Sequence, residues 1–350
     1  NMHEELSGVR IMAYTTIDNP SEYFTTVLST STGSALTIDT GFKPDWLWTK
    51  ARNFTRSHEI HDTIRGDNKR LKSDANTAEE SYSNYLAFTS TGATFGTNHN
   101  LGYHADGATT GVSWAWKANG GTTSTDTNGS QNSTVQVNST AGFSIVKRTG
   151  TGSAGATYGH GLGAVPEVII NKGLNTNEWY SYFKAIGGGT HWMNLDETNA
   201  AIDDANMWHD TDATNTVFTV GNSGGSNGSG VEYIAYCFTP IQGYSKFGVF
   251  TGNGNADGPF VYTGFKPAWL MIKETISGGS WGMWDNKRTP TNTMKIRLLA
   301  NTNAADDTSN DNSVDFLSNG FKMRTSSGSF NQNSTNILYM AFAEHPFVSS

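Results

Sequence analysis

Gly264-Phe265-Lys266-Pro267-Ala268-Trp269-Leu270-Met271-Ile272-Lys273 decides how the rest of the chain is read. A Gly followed by a Pro marks a turn. Proline fixes its own φ and has no N–H for a ladder, so it belongs where a strand starts. The Trp, Leu, Met and Ile that follow suit a strand with one or both faces covered. The stretch has an earlier twin, Gly41-Phe42-Lys43-Pro44-Asp45-Trp46-Leu47-Trp48-Thr49-Lys50, and a weaker copy, Gly163-Ala164-Val165-Pro166-Glu167-Val168-Ile169-Ile170-Asn171-Lys172. Three copies imply three repeats, and a repeat has to be settled before any site is argued.

A second aromatic strand follows each copy: Val112-Ser113-Trp114-Ala115-Trp116, Ile234-Ala235-Tyr236-Cys237-Phe238 and Met340-Ala341-Phe342. Trp114 lies 70 positions after Pro44, Tyr236 lies 70 after Pro166, and Phe342 lies 75 after Pro267. Pro44, Trp46, Trp114, Pro166, Tyr236, Pro267, Trp269 and Phe342 are therefore read as repeat-defining positions. Between these landmarks Leu71-Lys72-Ser73-Asp74 matches Met193-Asn194-Leu195-Asp196 and Leu298-Leu299-Ala300-Asn301. No stretch keeps a 3.6-residue period, and Gly, Asn and Thr interrupt every apolar run. The reading is an all-β chain of three tandem β-sandwich repeats, jelly-roll or lectin-like, each of about 100 residues. They occupy 21–118, 141–242 and 243–350. Residues 1–20 form an N-terminal anchor or junction. Residues 119–140 read as a polar linker, with Ser133-Thr134-Val135-Gln136-Val137-Asn138 alternating like a strand that pairs with a neighbour. The short junction Pro240-Ile241-Gln242-Gly243 couples repeats two and three closely, whereas the linker leaves repeat one freer.

Composition narrows the function. The 350 residues carry a net charge of −8 and only 15 % charged side chains. Duplex binding needs Lys and Arg to neutralise phosphates. The nearest basic run, Lys69-Arg70-Leu71-Lys72, reads as one surface turn, so no nucleic-acid partner is expected. The single cysteine, Cys237, can form no internal disulfide and reads as a small buried hydrophobe, which fits folding in a reducing compartment. No apolar run is long enough to span a membrane. Met2-His3-Glu4-Glu5-Leu6 is acidic where a secretion signal would be basic. The first residue, Asn1, suggests a processed or trimmed piece.

His58-Glu59-Ile60-His61-Asp62 looks like a metal motif. The zinc-binding helix, however, needs its histidines four apart on one face. On a strand, positions three apart face opposite ways, so one ion cannot use both. The equivalent stretches Trp179-Tyr180-Ser181-Tyr182 and Trp281-Gly282-Met283-Trp284 carry no ligands. Asp306-Asp307-Thr308-Ser309-Asn310-Asp311-Asn312 lacks the spacing and the Gly of a calcium loop. Gly150-Thr151-Gly152-Ser153-Ala154-Gly155 and Gly252-Asn253-Gly254-Asn255-Ala256-Asp257-Gly258 lead into no helix and read as hairpin turns. No metal and no cofactor is expected. The acid pairs Glu79-Glu80, Asp203-Asp204 and Asp306-Asp307 fall in expected loops, and no catalytic residue stands out. Trp179, Tyr180, Trp192, Trp208, Trp281 and Trp284 exceed what three thin cores need. They suit core packing or a subunit interface, or a surface that stacks on sugars.

The repeated Gly-Phe-Lys-Pro strand, Asp62-Thr63-Ile64-Arg65-Gly66, Ala141-Gly142-Phe143-Ser144-Ile145-Val146, Tyr244-Ser245-Lys246-Phe247-Gly248 and Phe316-Leu317-Ser318-Asn319-Gly320-Phe321-Lys322 together resemble an uncharacterised repeat in virion proteins of tailed bacteriophages, marine ones especially. The resemblance runs from about Ala13 onward and is weakest in repeat two, which lacks the Phe-Lys. It implies a non-enzymatic structural protein of the virion surface, either a tail fibre or appendage or a capsid fibre or decoration. Such a protein is assembled in the host cytoplasm and takes part in host-surface attachment outside. The implied partners are other virion proteins, further copies of the chain (a trimer by analogy with phage fibres) and host-surface glycans. A lectin-like carbohydrate-binding module is the alternative. A polysaccharide-degrading enzyme stands behind it, and would need two acids about 5–10 Å apart in a groove.

Overall fold

A computed structural model describes residues 14–101, 108–309 and 312–346. The chain is all-β, with antiparallel sheets and a few one-turn helices. Most of the expected anchor, residues 1–13, lies outside the described residues.

Each repeat builds a larger sheet from its first, last and two middle strands. In repeat one the order is Phe24–Thr30, Thr110–Trp116, Trp46–Ala51, Glu59–Asp62. In repeat two it is Phe143–Thr149, Glu232–Phe238, Val168–Gly173, Trp179–Phe183, and in repeat three Ser245–Thr251, Asn336–Pro346, Phe265–Glu274, Gly282–Asp285. A smaller sheet backs each one: Leu36–Asp39 with Gly92–Phe95 and Leu86–Phe88, then Ala156–Gly159 with Val217–Val220, then Phe260–Tyr262 with Gly320–Met323 and Val314–Leu317.

The motif strand owes its start to its glycine. Gly41, Gly163 and Gly264 adopt φ of 79°, 71° and 83°, a region that side chains with a Cβ enter at a cost. The strand that follows is buried on both faces. Alternate residues serve two cores because successive side chains point to opposite sides. Leu47, Ile169 and Leu270 face inward to their own repeat's smaller sheet. Trp46, Trp48, Val168, Ile170, Trp269 and Met271 face the other way, into one core shared by all three repeats. There Trp46 stacks on Tyr236 at 4.6 Å, Trp116 meets Trp269 at 5.6 Å, and Phe238 meets Phe342 at 5.7 Å. The repeats are therefore not beads on a string. Their larger sheets surround a common aromatic core with approximate threefold symmetry inside one chain.

Three expectations change. Trp46 pairs with Trp116, Val168 with Phe238, and Trp269 with Phe342. Phe342 thus corresponds to Trp116, and Met340 is the counterpart of Trp114 and Tyr236. A two-residue offset keeps a side chain on the same face of a strand, which is why the pattern alone did not expose it. The polar segment 119–140 is largely structured: Ser124–Asp126 and Ser133–Asn138 extend the second repeat's sheet beside Phe143–Thr149. Thr63 Oγ1 donates to Gln136 Oε1 at 2.8 Å, so this hairpin also ties repeat one to repeat two. The two Gly-rich stretches cross from the larger sheet to the smaller one and do not close hairpins. The buried side chains of Asn227 and Asn331 hold them, each accepting from a loop amide and donating to loop carbonyls.

Candidate functional site

The motif lysine organises the polar part of each seam. Lys50, Lys172 and Lys273 end the three motif strands and are buried. Lys172 Nζ donates to the carbonyls of Gly173, Asn175 and Asn177, Lys50 Nζ to Ala51, and Lys273 Nζ to Thr198 and Gly279. Burial lowers all three ammonium groups to about 8. Across the ladder from them stand His58, Trp179 and Trp281. Each sends a ring N–H to a backbone carbonyl of the neighbouring repeat: Trp179 Nε1 to Lys72 at 2.7 Å, Trp281 Nε1 to Asn194 at 2.8 Å, and His58 Nε2 to Leu299 at 3.0 Å. The His58 tautomer follows from its other contact, because Trp48 Nε1 donates to Nδ1 at 2.8 Å. Burial, and then Lys50, keeps this imidazole neutral, well below the usual histidine range.

The backbone repeats the same rotation. The amides of Glu79, Ala201 and Asp306 donate to the carbonyls of Leu174, Thr275 and Arg52, at 2.9, 2.9 and 2.7 Å. Asp74, Asp196 and Asn301 each accept from the amide of the residue that makes the ring contact, at 2.9, 3.0 and 3.0 Å. Each repeat thus bonds to the next and the third returns to the first. Two seams also hold a buried ion pair. Arg65 Nε meets Asp62 at 2.5 Å, and Arg288 Nε meets Asp285 at 2.5 Å. Tyr236 OH and Trp114 Nε1 reach these carboxylates from the neighbouring repeats. Repeat two has Phe183 and Ile186 in those places, and Phe183 instead stacks on Trp281 at 5.6 Å.

The aromatic candidates divide. Trp179, Trp208, Trp281 and Trp284 are at most 1 % exposed, so they are neither a sugar platform nor a surface for another copy. Trp208 packs on Tyr182 inside repeat two, and Trp284 on Phe330 inside repeat three. Tyr180 and Trp192 are half-buried and meet edge to face at 4.9 Å. The most open aromatics on one face are two that the sequence did not single out, Phe260 and Tyr262, at 46 % and 47 % exposure. Strand alternation places them side by side.

Five of the six acids in the suspected pairs are engaged, and Asp203 is exposed. Glu79 bonds Arg65 and Lys69, Glu80 bonds Arg70 and Lys72, Asp306 bonds Arg52 and Arg288, and Asp307 bonds Arg297. Asp204 caps a helical turn by accepting from the Asn206 amide. Of the suspected calcium loop, Asn310 and Asp311 lie outside the described residues. His58 and His61 do face opposite ways: His58 enters a seam and His61 enters the interior of repeat one. What strand parity could not reveal is that His61 shares its side with Glu59, and that His99 arrives beside them from a distant loop.

Fold and seams define a single-chain, threefold β-protein closed by rotationally equivalent hydrogen bonds. A family model described as "Domain of unknown function (DUF7483)" matches residues 19–346, and the chain belongs to that family. No curated protein and no solved structure matches.

Proposed function

We propose that the protein is a non-enzymatic structural component of a bacteriophage virion surface, a tail fibre or appendage or a capsid fibre or decoration, with a part in host-surface attachment. The observation that carries this reading is the use made of ionisable side chains. Of the acids that suggested catalysis, Asp306 ties repeat three to repeat one through Arg52, Glu79, Glu80 and Asp307 pair with cations of their own repeat, and Asp204 caps a turn. A body whose repeats close on one another suits a rigid building block. The open concavity lined by Lys266, Asn286, Thr289, Asn292, Phe316 and Glu344 has a volume of about 230 Å³. Its one acid, Glu344, is paired with Lys266 at 2.7 Å, so no second carboxylate stands ready there for glycoside hydrolysis. The surplus of tryptophan that suited core packing or a subunit interface is largely accommodated within one chain, so burial of aromatics does not demand further copies. The test is the copy number of the chain in gradient-purified particles, measured by quantitative mass spectrometry against the major capsid protein. A whole-number ratio set by particle symmetry supports the proposal, and absence from intact particles ends it.

The exposed Phe260 and Tyr262 favour one second reading, a carbohydrate-binding module. Both are nearly half exposed, Lys246 Nζ lies over the Tyr262 ring at 5.3 Å from its centroid, and the Tyr262 hydroxyl lies 3.3 Å from that of Tyr14. A saccharide that raises Tm in the native chain but not in Phe260→Ala/Tyr262→Ala would favour this reading over the first.

A further inference from the structure

We propose that Glu59 Oε2, His61 Nε2 and His99 Nε2 form a site for one divalent ion of the zinc class, buried inside repeat one. The three atoms make a compact triangle: His99 to Glu59 is 2.8 Å, His99 to His61 is 3.2 Å, and His61 to Glu59 is 3.7 Å. A circle through points at these separations has a radius of about 1.9 Å, just under the 2.0–2.1 Å of a zinc–imidazole or zinc–carboxylate bond. An ion slightly above the plane therefore reaches all three donors with ordinary bond lengths and no movement of the triangle.

Surrounding contacts aim the donors. His61 Nδ1 lies 2.7 Å from the Lys69 carbonyl, which only an N–H can satisfy, so its Nε2 presents a lone pair. The other Glu59 oxygen accepts from Arg70 Nη1 at 2.8 Å, from Tyr85 OH at 2.6 Å and from Asn100 Nδ2. Oε2 has no hydrogen bond of good geometry among the described residues; its near neighbours are the two imidazole nitrogens, His99 Nε2 at 2.8 Å and His61 Nε2 at 3.7 Å. A buried carboxylate oxygen without a hydrogen bond is costly, and a cation removes that cost. Burial pulls on the Glu59 carboxyl in the raising direction, but the facing His99 and His61 outweigh it and hold the group well below the usual carboxylate range.

All three side chains are at most 2 % exposed, and the rings of Tyr85 and Phe95 pack against His99 at a tilt, with centroids 4.6 and 4.5 Å away. Such a closed setting suits a structural ion rather than a catalytic one. Two imidazoles and a carboxylate suit zinc, cobalt or iron(II) better than calcium. The other repeats show what the ion would replace. Tyr180 and Gly282 stand where Glu59 does, and Tyr182 and Trp284 stand where His61 does. Repeats two and three fill this space with an aromatic ring, and repeat one with three metal-binding side chains. Loading has one local cost. The Leu101 amide donates to His99 Nδ1 at 3.0 Å, so the ion-free ring carries its proton on Nε2. On binding, that proton moves to Nδ1, the ring stays neutral, no net proton is released, and the Leu101 N–H turns away.

The test is zinc titration of the chelator-stripped full chain, read by calorimetry and by metal content after gel filtration. One equivalent per chain is expected, with a Tm that rises with zinc concentration. His99→Gln and His61→Asn should lower uptake at least about tenfold, while His209→Asn, at an exposed histidine, should leave it unchanged. Far-UV circular dichroism and elution volume show whether each variant folds. X-ray absorption on the zinc-loaded native chain gives an answer independent of the variants: scattering from two imidazoles supports the site. No uptake by the native chain, full uptake by folded His99→Gln, or a metal shell without imidazole overturns it.

Discussion

The hydroxyl of Tyr236 donates to Asp62 Oδ2 at 2.7 Å and so joins the last strand of repeat two to the buried Asp62–Arg65 pair of repeat one. Trp114 and Asp285 repeat the contact one seam further round, at 3.2 Å. Removing the donor and removing the acceptor should differ in cost. Tyr236→Phe leaves Asp62 bonded to Arg65, and the expected loss is about 1–2 kcal/mol. Asp62→Ala leaves Arg65 buried beside a void, and the expected loss is about 3–5 kcal/mol. Urea denaturation of both variants checks this, and equal losses would mean that the ion pair contributes nothing beyond the hydroxyl contact.

Because the three repeats share one core, they should unfold together. Thermal unfolding of the whole chain is expected to give a single transition, superimposable by tryptophan fluorescence and far-UV circular dichroism. A fragment covering 141–242 alone would expose Phe143, Ile145, Ile170, Tyr236 and Phe238, which face the other repeats, and should show no cooperative transition. Stepwise melting of the whole chain would instead mark three independent domains.

Asp196 offers a test by pH. Burial raises its carboxyl to about 7, and its Oδ2 has no hydrogen-bond partner among the described residues. The folded state therefore holds this proton more tightly than the unfolded state, so this group's contribution to stability falls as pH rises from about 4 to about 7. Asn301 does the same structural work in repeat three without a charge, since Asp196 accepts from the backbone N–H of Trp179 and Asn301 from that of Trp281. Asp196→Asn should thus stabilise the protein at pH 8 by roughly 1–3 kcal/mol and should change little at pH 4. Denaturant midpoints at the two pH values decide it, and a variant less stable at pH 8 would show that the charge is needed by Lys172.

The tryptophans should separate by role. Trp284→Ala is expected to cost about 3–5 kcal/mol, because it empties a buried site against Phe330. Trp192→Ala, at a half-buried ring whose Nε1 makes no hydrogen bond among the described residues, should cost less than half as much. Glycan-array signal, if the protein binds sugars, should follow Phe260 and Tyr262 and be indifferent to any buried tryptophan that still allows folding.

How far the residues alone carried the reading can be traced position by position. The Gly-to-Pro turn and the apolar run after it identify the motif strand wherever it occurs, because a positive φ and a missing N–H are local demands that few residues meet. Interruptions by Gly, Asn and Thr identify an all-β chain. The match of Leu71, Met193 and Leu298 brings Lys72, Asn194 and Leu299 into register, and these are the positions whose carbonyls accept across the seams.

Strand alternation also separated His58 from His61, as the fold does. It could not bring in His99, which lies 38 positions beyond His61, because only the loops of repeat one set that distance. Nor could it say where the surplus tryptophans go. A strand buried on one face and a strand buried on both read alike when the second face meets another repeat, since the covering residues lie 70 or more positions away. Residue identity by itself determined the three strands, their glycines and their lysines. Only the tertiary structure decided that the strands close around a common core, because a threefold ring depends on contacts between repeats, and a local pattern carries no record of those contacts.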